Sequence, residues 1–531
     1  MPVAVTYPGV YVEELPSGVH TIVGVATSIA AFVGRAWSGP VDSATTIYSY
    51  ADYARIFGGL WRDSTMSYAV QQFFQNGGAQ AIIVRVATRS GGSAAAAATY
   101  TIGGVVFEAA WPGSWGSNLV LTIDHNTKDT SDVSLFNLTI VDGTNPDGSK
   151  VLSDAMKRGG SGMRETFYNV SADPSDPRFV ATILEQQSQL LRVQSGLPTA
   201  SPYTAPAAGN AGGSYGAPTA NGSDGTTIGA TEVSAPANAT AGTGLWALDQ
   251  ADIFNLLVIP PFTSSTTDNG SATWAAAAQY CHDHRAVLLV DAPSDWNPAN
   301  TLDPSTLGAG AYASYAAVYF PRLLAPDENG NLQAYAPAGS VAGVFARTDV
   351  ARGVWKAPAG TQASLQGTSG FQINGQQANL TDSLIGALNP LGINCLRNLP
   401  ILGPVVWGAR TLDGADIKSS DWKYVPVRRL ALYIEESLFR SLSWVVFEPN
   451  DEPLWSSIRL DVGAFMQGLF RQGAFQGQAA KDAYFVKCDK DTTTQNDINL
   501  GVVNIVVGFA PVKPAEFVVI QIQQMAGQIQ T

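Results

Sequence analysis

Charge is what this sequence has least of. Only 14% of its 531 residues are Asp, Glu, Lys or Arg, against roughly 25% in an ordinary soluble protein. The few charges are lopsided, 43 acidic against 30 basic groups for a net −13, which gives no electrostatic reason to expect binding to a phosphate backbone, since that needs basic patches. Cysteine is scarce as well. Cys281, Cys395 and Cys488 are odd in number and far apart, which excludes a disulfide framework and fits folding in a reducing compartment. Long apolar runs are missing: residues 502–512 are broken by Asn504, Gly508 and Pro511, far short of the ~20 residues a membrane span needs. The first residues carry no basic segment followed by an apolar one, and Glu13 and Glu14 close the window for a secretory signal. Synthesis in the cytoplasm and no direct membrane insertion are the expectations.

What is present reads as an α/β multidomain protein. At roughly 100–200 residues per domain, three or so domains are expected. Val3, Val5, Tyr7, Val10 and Val12 alternate around a Pro8-Gly9 break, an extended segment with no hairpin partner beside it. Residues 30–34 and 81–86 read as buried strands, with a helix over 64–75 that stops at Asn76-Gly77-Gly78. Residues 89–98 look like a linker. Short β-like runs at 100–107, 118–124 and 135–141, separated by Gly, Asn and Asp turns, then predict a β-rich insert, followed by a helix near 178–193. Residues 196–246 hold only Asp224 and Glu232 as charges amid Gly, Ala, Ser, Thr and Pro, a composition expected to form loop without a core. Apolar runs at 255–260, 286–291 and 317–321, with helical stretches near 272–284 and 308–316 between them, have the character of parallel strands buried on both faces.

The last third carries the clearest helix signals. Leu430, Tyr433, Ile434, Leu438, Leu442 and Val445 share one helical face. Asn450-Asp451-Glu452-Pro453 supplies a cap, acids and a first-turn proline, and opens a helix with Trp455, Ile458, Val462, Phe465, Met466 and Leu469 on one stripe, ending by Gly473. Strand-like runs at 484–488, 500–509 and 517–522 close the chain.

Chemistry is harder to find. Cys281-His282-Asp283-His284 offers metal-type ligands, but neighbours on a helix point apart and no second cluster exists among four histidines. The glycines of 308–313 follow no strand, so they lack the context of a dinucleotide fingerprint. Asp291 with His282 or His284 supplies two members of a triad, without a serine in a recognisable elbow. No catalytic residue, cofactor or metal is expected. Arg428-Arg429 reads as a helix entry with local ion pairs to Glu435 and Glu436, and Arg459, Arg471 and Lys481 are candidates for a basic stripe facing an acidic partner.

Several blocks resemble the contractile tail sheath proteins of bacteriophages and phage-tail-like injection systems. They are Trp422-Lys423-Tyr424-Val425-Pro426-Val427-Arg428-Arg429-Leu430, Trp444-Val445-Val446-Phe447-Glu448-Pro449-Asn450-Asp451, Ala483-Tyr484-Phe485-Val486-Lys487-Cys488-Asp489 and Ala510-Pro511-Val512-Lys513-Pro514-Ala515-Glu516-Phe517. Upstream, Tyr7-Pro8-Gly9-Val10-Tyr11-Val12-Glu13-Glu14 is similar to the family's N-terminal arm, and Trp111-Pro112-Gly113-Ser114-Trp115-Gly116 to the opening of its inserted domain. Residues 353–360 and 407–412 also fit.

The resemblance implies a split α/β core of subtilisin-like topology (21–90 plus 247–365) with an inserted β-rich domain (91–195). A Gly/Ala/Thr-rich loop (196–246) and an α+β C-terminal sheath domain (366–531) would complete it, flanked by extended N- and C-terminal arms, the first over 1–20. It implies a subunit of stacked hexameric rings around an inner tube, on a baseplate and under a terminator or cap, that contracts to drive the tube through a target envelope. Strand exchange would run through Val3, Val5, Tyr7, Val10, Val12, Phe517, Val519, Ile520 and Ile522, with inner-tube contact through Arg459, Arg471 and Lys481. A thin charge coat suits a subunit whose flanks are covered by neighbours. The competing readings are an α/β hydrolase and a non-contractile surface or adhesion protein.

Overall fold

The computed structural model describes residues 20–89, 94–142, 163–212, 216–262, 268–298, 302–327 and 330–521. The chain divides into two compact units. Of the described residues, the larger holds those within 26–352 and 356–428; the smaller holds 20–25, 353–355 and 429–521.

The larger unit is built on an eight-stranded sheet. Six strands run parallel through its middle, in the spatial order Ile393–Leu399, Ala316–Phe320, Val287–Asp291, Leu256–Val258, Ala30–Gly34 and Ala81–Arg85. Antiparallel Gly403–Val406 and Thr45–Ile47 close its two edges. The five from Ala316–Phe320 to Ala81–Arg85 are short and wholly buried because both faces are covered, which is why their sequences are near-continuous Val, Ile, Leu and Ala rather than alternating. The helix Thr65–Gln75 starts and stops where its sequence signals place it. It packs closely against the helix Ala338–Arg352. A Cβ on Gly339 would lie 2.4 Å from the Ala69 carbonyl oxygen, and one on Gly343 2.5 Å from that of Phe73, so only glycine lets these two backbones meet.

The β-rich region contains a four-stranded antiparallel sheet, ordered Gly209–Ala211, Leu119–Asp124, Leu135–Asp142, Arg164–Ser171, and a three-stranded one of Thr99–Ile102, Val105–Ala109 and Leu191–Ser195. Both contribute to one core, with Phe107, Trp115, Leu121 and Phe136 at its centre. The run at 100–107 is a hairpin rather than one strand, turned at Gly103 and Gly104, which both take positive φ. The helix expected over 178–193 is confined to Val180–Gln187. Beyond it the Ser188 hydroxyl accepts the Leu190 and Leu191 N–H groups at 3.1 and 3.0 Å, and the chain leaves as a strand paired with Val105–Ala109.

Residues 196–246 depart from the expected coreless loop. They supply the edge strand Gly209–Ala211 and the short helices Ala230–Val233 and Ala237–Ala241, and the helical turn Gly244–Gln250 begins at their end. Ile228, Val233 and Leu245 are buried in the main core. Polar bonds fasten this covering: Arg89 forks onto Asp42 at 2.6 Å and reaches the Glu232 carbonyl, and Asp42 accepts from Gly244 N at 2.7 Å.

The smaller unit folds around the helix Glu452–Arg471 and the Arg429–Ser441 part of the helix Val425–Ser441. Leu430 and Ile434 from one, and Trp455, Ile458, Val462, Met466 and Leu469 from the other, form its core together with Ile22, Phe475 and Cys488. The predicted stripes are the faces that meet.

Candidate assembly surface

The smaller unit is where the structure concentrates exposed apolar groups. Its long helix is fixed at the start by Asp451, whose side chain accepts from Leu454 N at 3.3 Å, with Pro453 in the first turn. Just before it, Asn450 uses both ends of its amide. Its Oδ1 accepts from Trp455 Nε1 at 2.9 Å and its Nδ2 donates to the Val502 carbonyl at 3.0 Å. That clamp brings the 446–450 connection beside the 500–502 segment. Val446, Phe447, Leu500 and Val502 are all solvent-facing, and Phe447 is fully exposed on a backbone with φ +72°, a conformation costly for a residue with a Cβ.

The strands Tyr484–Lys487 and Val506–Phe509 pair antiparallel, Tyr484 opposite Phe509 and Lys487 opposite Val506. Among the described residues neither has a second neighbour, so this is a two-stranded ribbon with both outer edges open. Such a ribbon is marginal alone, and an open edge is a template for another strand. Cys488 closes the first strand from the inside, burial pushing its thiol up to about 11.

Beyond Phe509, main-chain bonds tie the chain back at Ala510 N to Ala483 O (2.8 Å) and Gln476 N to Ala510 O (2.8 Å). After Pro514 no strand forms, and Phe517, Val518, Val519 and Ile520 stand in a row at 74–81% exposure. Four consecutive apolar side chains left in water need a partner to cover them. Of the residues expected in terminal strand arms, Phe517, Val519 and Ile520 therefore lie in this exposed tail, whereas Val3, Val5, Tyr7, Val10, Val12 and Ile522 lie outside the described residues. The described N-terminal chain starts at His20, stacked 4.1 Å from Trp444, and runs along the first helix with Val23 N and Val25 N donating to Ser441 and Ser437.

The three basic candidates do not share a helix face. Arg459 donates to Glu452 at 2.5 Å and to the Cys488 carbonyl. Arg471 is exposed at the helix end twelve residues on, about a third of a turn round from Arg459 at 3.6 residues per turn. Lys481 is exposed in the short helix Ala480–Ala483. Sequence reasoning also missed what holds Arg428, in the larger unit. Its guanidinium lies between the rings of Tyr315 and Trp422, 3.8 and 4.4 Å from their centroids. Glu436 pairs with Arg440 at 2.6 Å.

A triad is not assembled around Asp291. His282 and His284 end the helix Ser271–Asp283, beside the start of the strand Val287–Asp291, while Asp291 is at that strand's far end, about 13 Å further on at ~3.3 Å per residue. His282 bonds Asp283 at 2.8 Å and His284 approaches Asp249 at 3.3 Å. Among the described residues no group of three His, Cys, Asp or Glu side chains is arranged to hold a metal.

Residues 418–525 match the phage tail sheath C-terminal domain. A tail sheath protein of Vibrio phage KVP40 is 27% identical over 133 residues, 25% of this chain and 19% of that relative's own length. The fold is similar to that of the anti-feeding prophage helical sheath in its contracted state, at 23% identity and TM-score 0.56 over 98% of this chain and 100% of that one. It is similar also to the sheath tail protein of Listeria innocua, at 12% identity and TM-score 0.58 over 93% and 96%.

Proposed function

We propose that the chain is a structural subunit of a contractile tail sheath, one that polymerises around an inner tube and shortens to drive it forward. The observation that carries this reading is the match of residues 418–525 to the phage tail sheath C-terminal domain, the region that holds the open-edged ribbon and the apolar tail. The likeness to sheath folds over 98% of the chain supports it.

Copies of the chain are its principal partners. The ribbon's free edges receive strands from neighbours, and the tail at Phe517, Val519 and Ile520 and the arm at Val3, Val5, Tyr7, Val10 and Val12 are the donors. Each ladder bond is worth a net ~0.5–1.5 kcal/mol, so a short strand tethers neighbours while larger surfaces rearrange about it. The assembly also meets an inner tube, a baseplate and a terminal cap, with Arg471 and Lys481 the exposed cations available to an acidic tube. Contraction is downhill. Covering about 1,000 Å² more apolar surface per subunit is worth at most ~25 kcal/mol, reduced by ordering and imperfect desolvation. The role is structural, on an α/β core that we read as subtilisin-like in topology from its run of parallel strands.

Electron microscopy of the purified full chain tests this. Tubes or cogwheel rings are expected, and a version lacking residues 1–14 should remain a folded monomer that makes neither. A chain that stays monomeric under all assembly conditions, or normal contracted tubes from the truncated form, would overturn the subunit and tether readings respectively.

A further inference from the structure

At the C-terminal ends of the parallel strands, where open α/β sheets place their ligands, the larger unit has a cleft of about 500 Å³. Its carboxylates are treated unequally. Asp268 is saturated: it accepts from Ser294 N and Oγ at 3.0 Å and from Arg322 Nη2 at 2.9 Å. Asp291, only 5% exposed, accepts from Ala338 N at 2.8 Å through Oδ1. Its Oδ2 has no hydrogen-bond partner among the described residues. A buried carboxylate oxygen left unbonded is costly, and here it belongs to a residue lining a cleft roomy enough for a small molecule.

The other lining groups specify what would complete it. The aromatic side chains of Trp274 and Trp296 border the cleft, and two further acids, Asp295 and Asp303, are exposed at it. Aromatic faces beside carboxylates attract organic cations, by ring quadrupole and by charge. A metal ion would need several convergent ligands, and none of the described clusters provides three. A carboxylate at depth, acids near solvent and aromatic walls fit a linear molecule with a cation at each end.

We propose that this cleft binds a linear alkyl diamine, one ammonium group at Asp291 and the other at Asp295 and Asp303, with the methylene chain along Trp274 and Trp296. Arg322 is bonded to Asp268 and its charge also acts on Asp291, but the cleft sets four carboxylates, Asp268, Asp291, Asp295 and Asp303, against that one guanidinium. The proposal is independent of the sheath reading.

Isothermal titration calorimetry of the full chain with putrescine, butylamine, 1,4-butanediol and magnesium chloride tests it. Putrescine should bind one per chain with a Kd of about 1 mM or tighter, and 1,4-butanediol should not bind. Asp291→Asn, which keeps the shape and an acceptor for Ala338 N, should weaken putrescine at least about tenfold, the value of one charge-assisted bond. Because that variant alters a buried group, a second one acts at the surface. Asp295→Asn with Asp303→Asn should weaken putrescine several-fold and leave butylamine unchanged. Equal affinity in Asp291→Asn, equal affinity for the diol, or magnesium binding without putrescine binding would each overturn the proposal.

Discussion

Asn394 and Arg410 hold each other by two hydrogen bonds. The Arg410 main-chain N–H donates to Asn394 Oδ1 at 2.7 Å, and Asn394 Nδ2 donates back to the Arg410 carbonyl at 2.7 Å. The same Nδ2 reaches the Val318 carbonyl at 3.1 Å, which ties the edge hairpin to the central sheet. Both residues are fully buried. Replacing Asn394 by Ala removes three buried hydrogen bonds and should cost about 2–4 kcal/mol. Asn394→Asp should cost more, since it points a carboxylate at two carbonyls. Denaturant midpoints of the two variants check the order, and a milder Asp variant would refute it.

Phe447 makes a prediction of opposite signs. Its left-handed backbone costs roughly 1–2 kcal/mol for a residue with a Cβ, and its fully exposed ring contributes no burial in return. Phe447→Gly should therefore raise the melting temperature of the monomer. If the ring serves contact between copies, the same change should lower the yield of assembled tubes. Thermal melts and sedimentation of one preparation read both, and unchanged assembly would remove Phe447 from the interface.

Elements whose causes are local were legible in the sequence. The Glu452–Arg471 helix carries its own cap, proline and stripe, and the buried parallel strands are continuous apolar runs. What depended on distant partners was not. The pairing of Leu191–Ser195 with Val105–Ala109 looked like the end of a helix, and the packing of Ile228 and Leu245 was hidden in a Gly-rich composition. The stacking of Arg428 was not legible because Tyr315, one of the rings it lies over, is more than a hundred residues away. Of the candidate surface, the apolar tail was visible as a strand-like run. The open ribbon edges and the exposed Phe447 required the fold.

Asp291 also predicts a dependence on pH. Burial raises its carboxyl to about 7, with Asp268 adding to the rise and the Ala338 N–H and Arg322 opposing it; Asp295 and Asp303 are the other acids lining the cleft. An acid whose folded pKa is raised binds its proton more tightly when folded. Its stabilising contribution is complete below ~4, the unfolded value, and is lost as pH rises through about 7. Asp291→Asn cannot titrate. Its melting temperature relative to the parent should climb between pH 4 and 7 and level off above, and a flat difference would mean that Asp291 ionises freely in the folded chain.

The tail at 517–520 distinguishes strand addition from general stickiness. In an extended strand, side chains alternate between faces, so Phe517 and Val519 point one way, and Val518 and Ile520 the other. If the tail docks as a strand on a neighbour's ribbon, one pair is buried there, worth ~1.5–3 kcal/mol per fully covered side chain, and the other faces outward. Changing the buried pair to lysine should abolish assembly, while the same change in the other pair should be tolerated. Val519→Pro removes an N–H from the ladder and should also impair assembly, since a strand held by main-chain bonds loses one by it. All four side chains are largely exposed in the single chain, so none of these variants should shift the monomer's melting temperature by much. Electron microscopy of the two lysine pairs reads the periodicity directly. Equal loss from both pairs would mean that the tail acts as an undirected apolar patch, and no loss from either would remove it from the assembly.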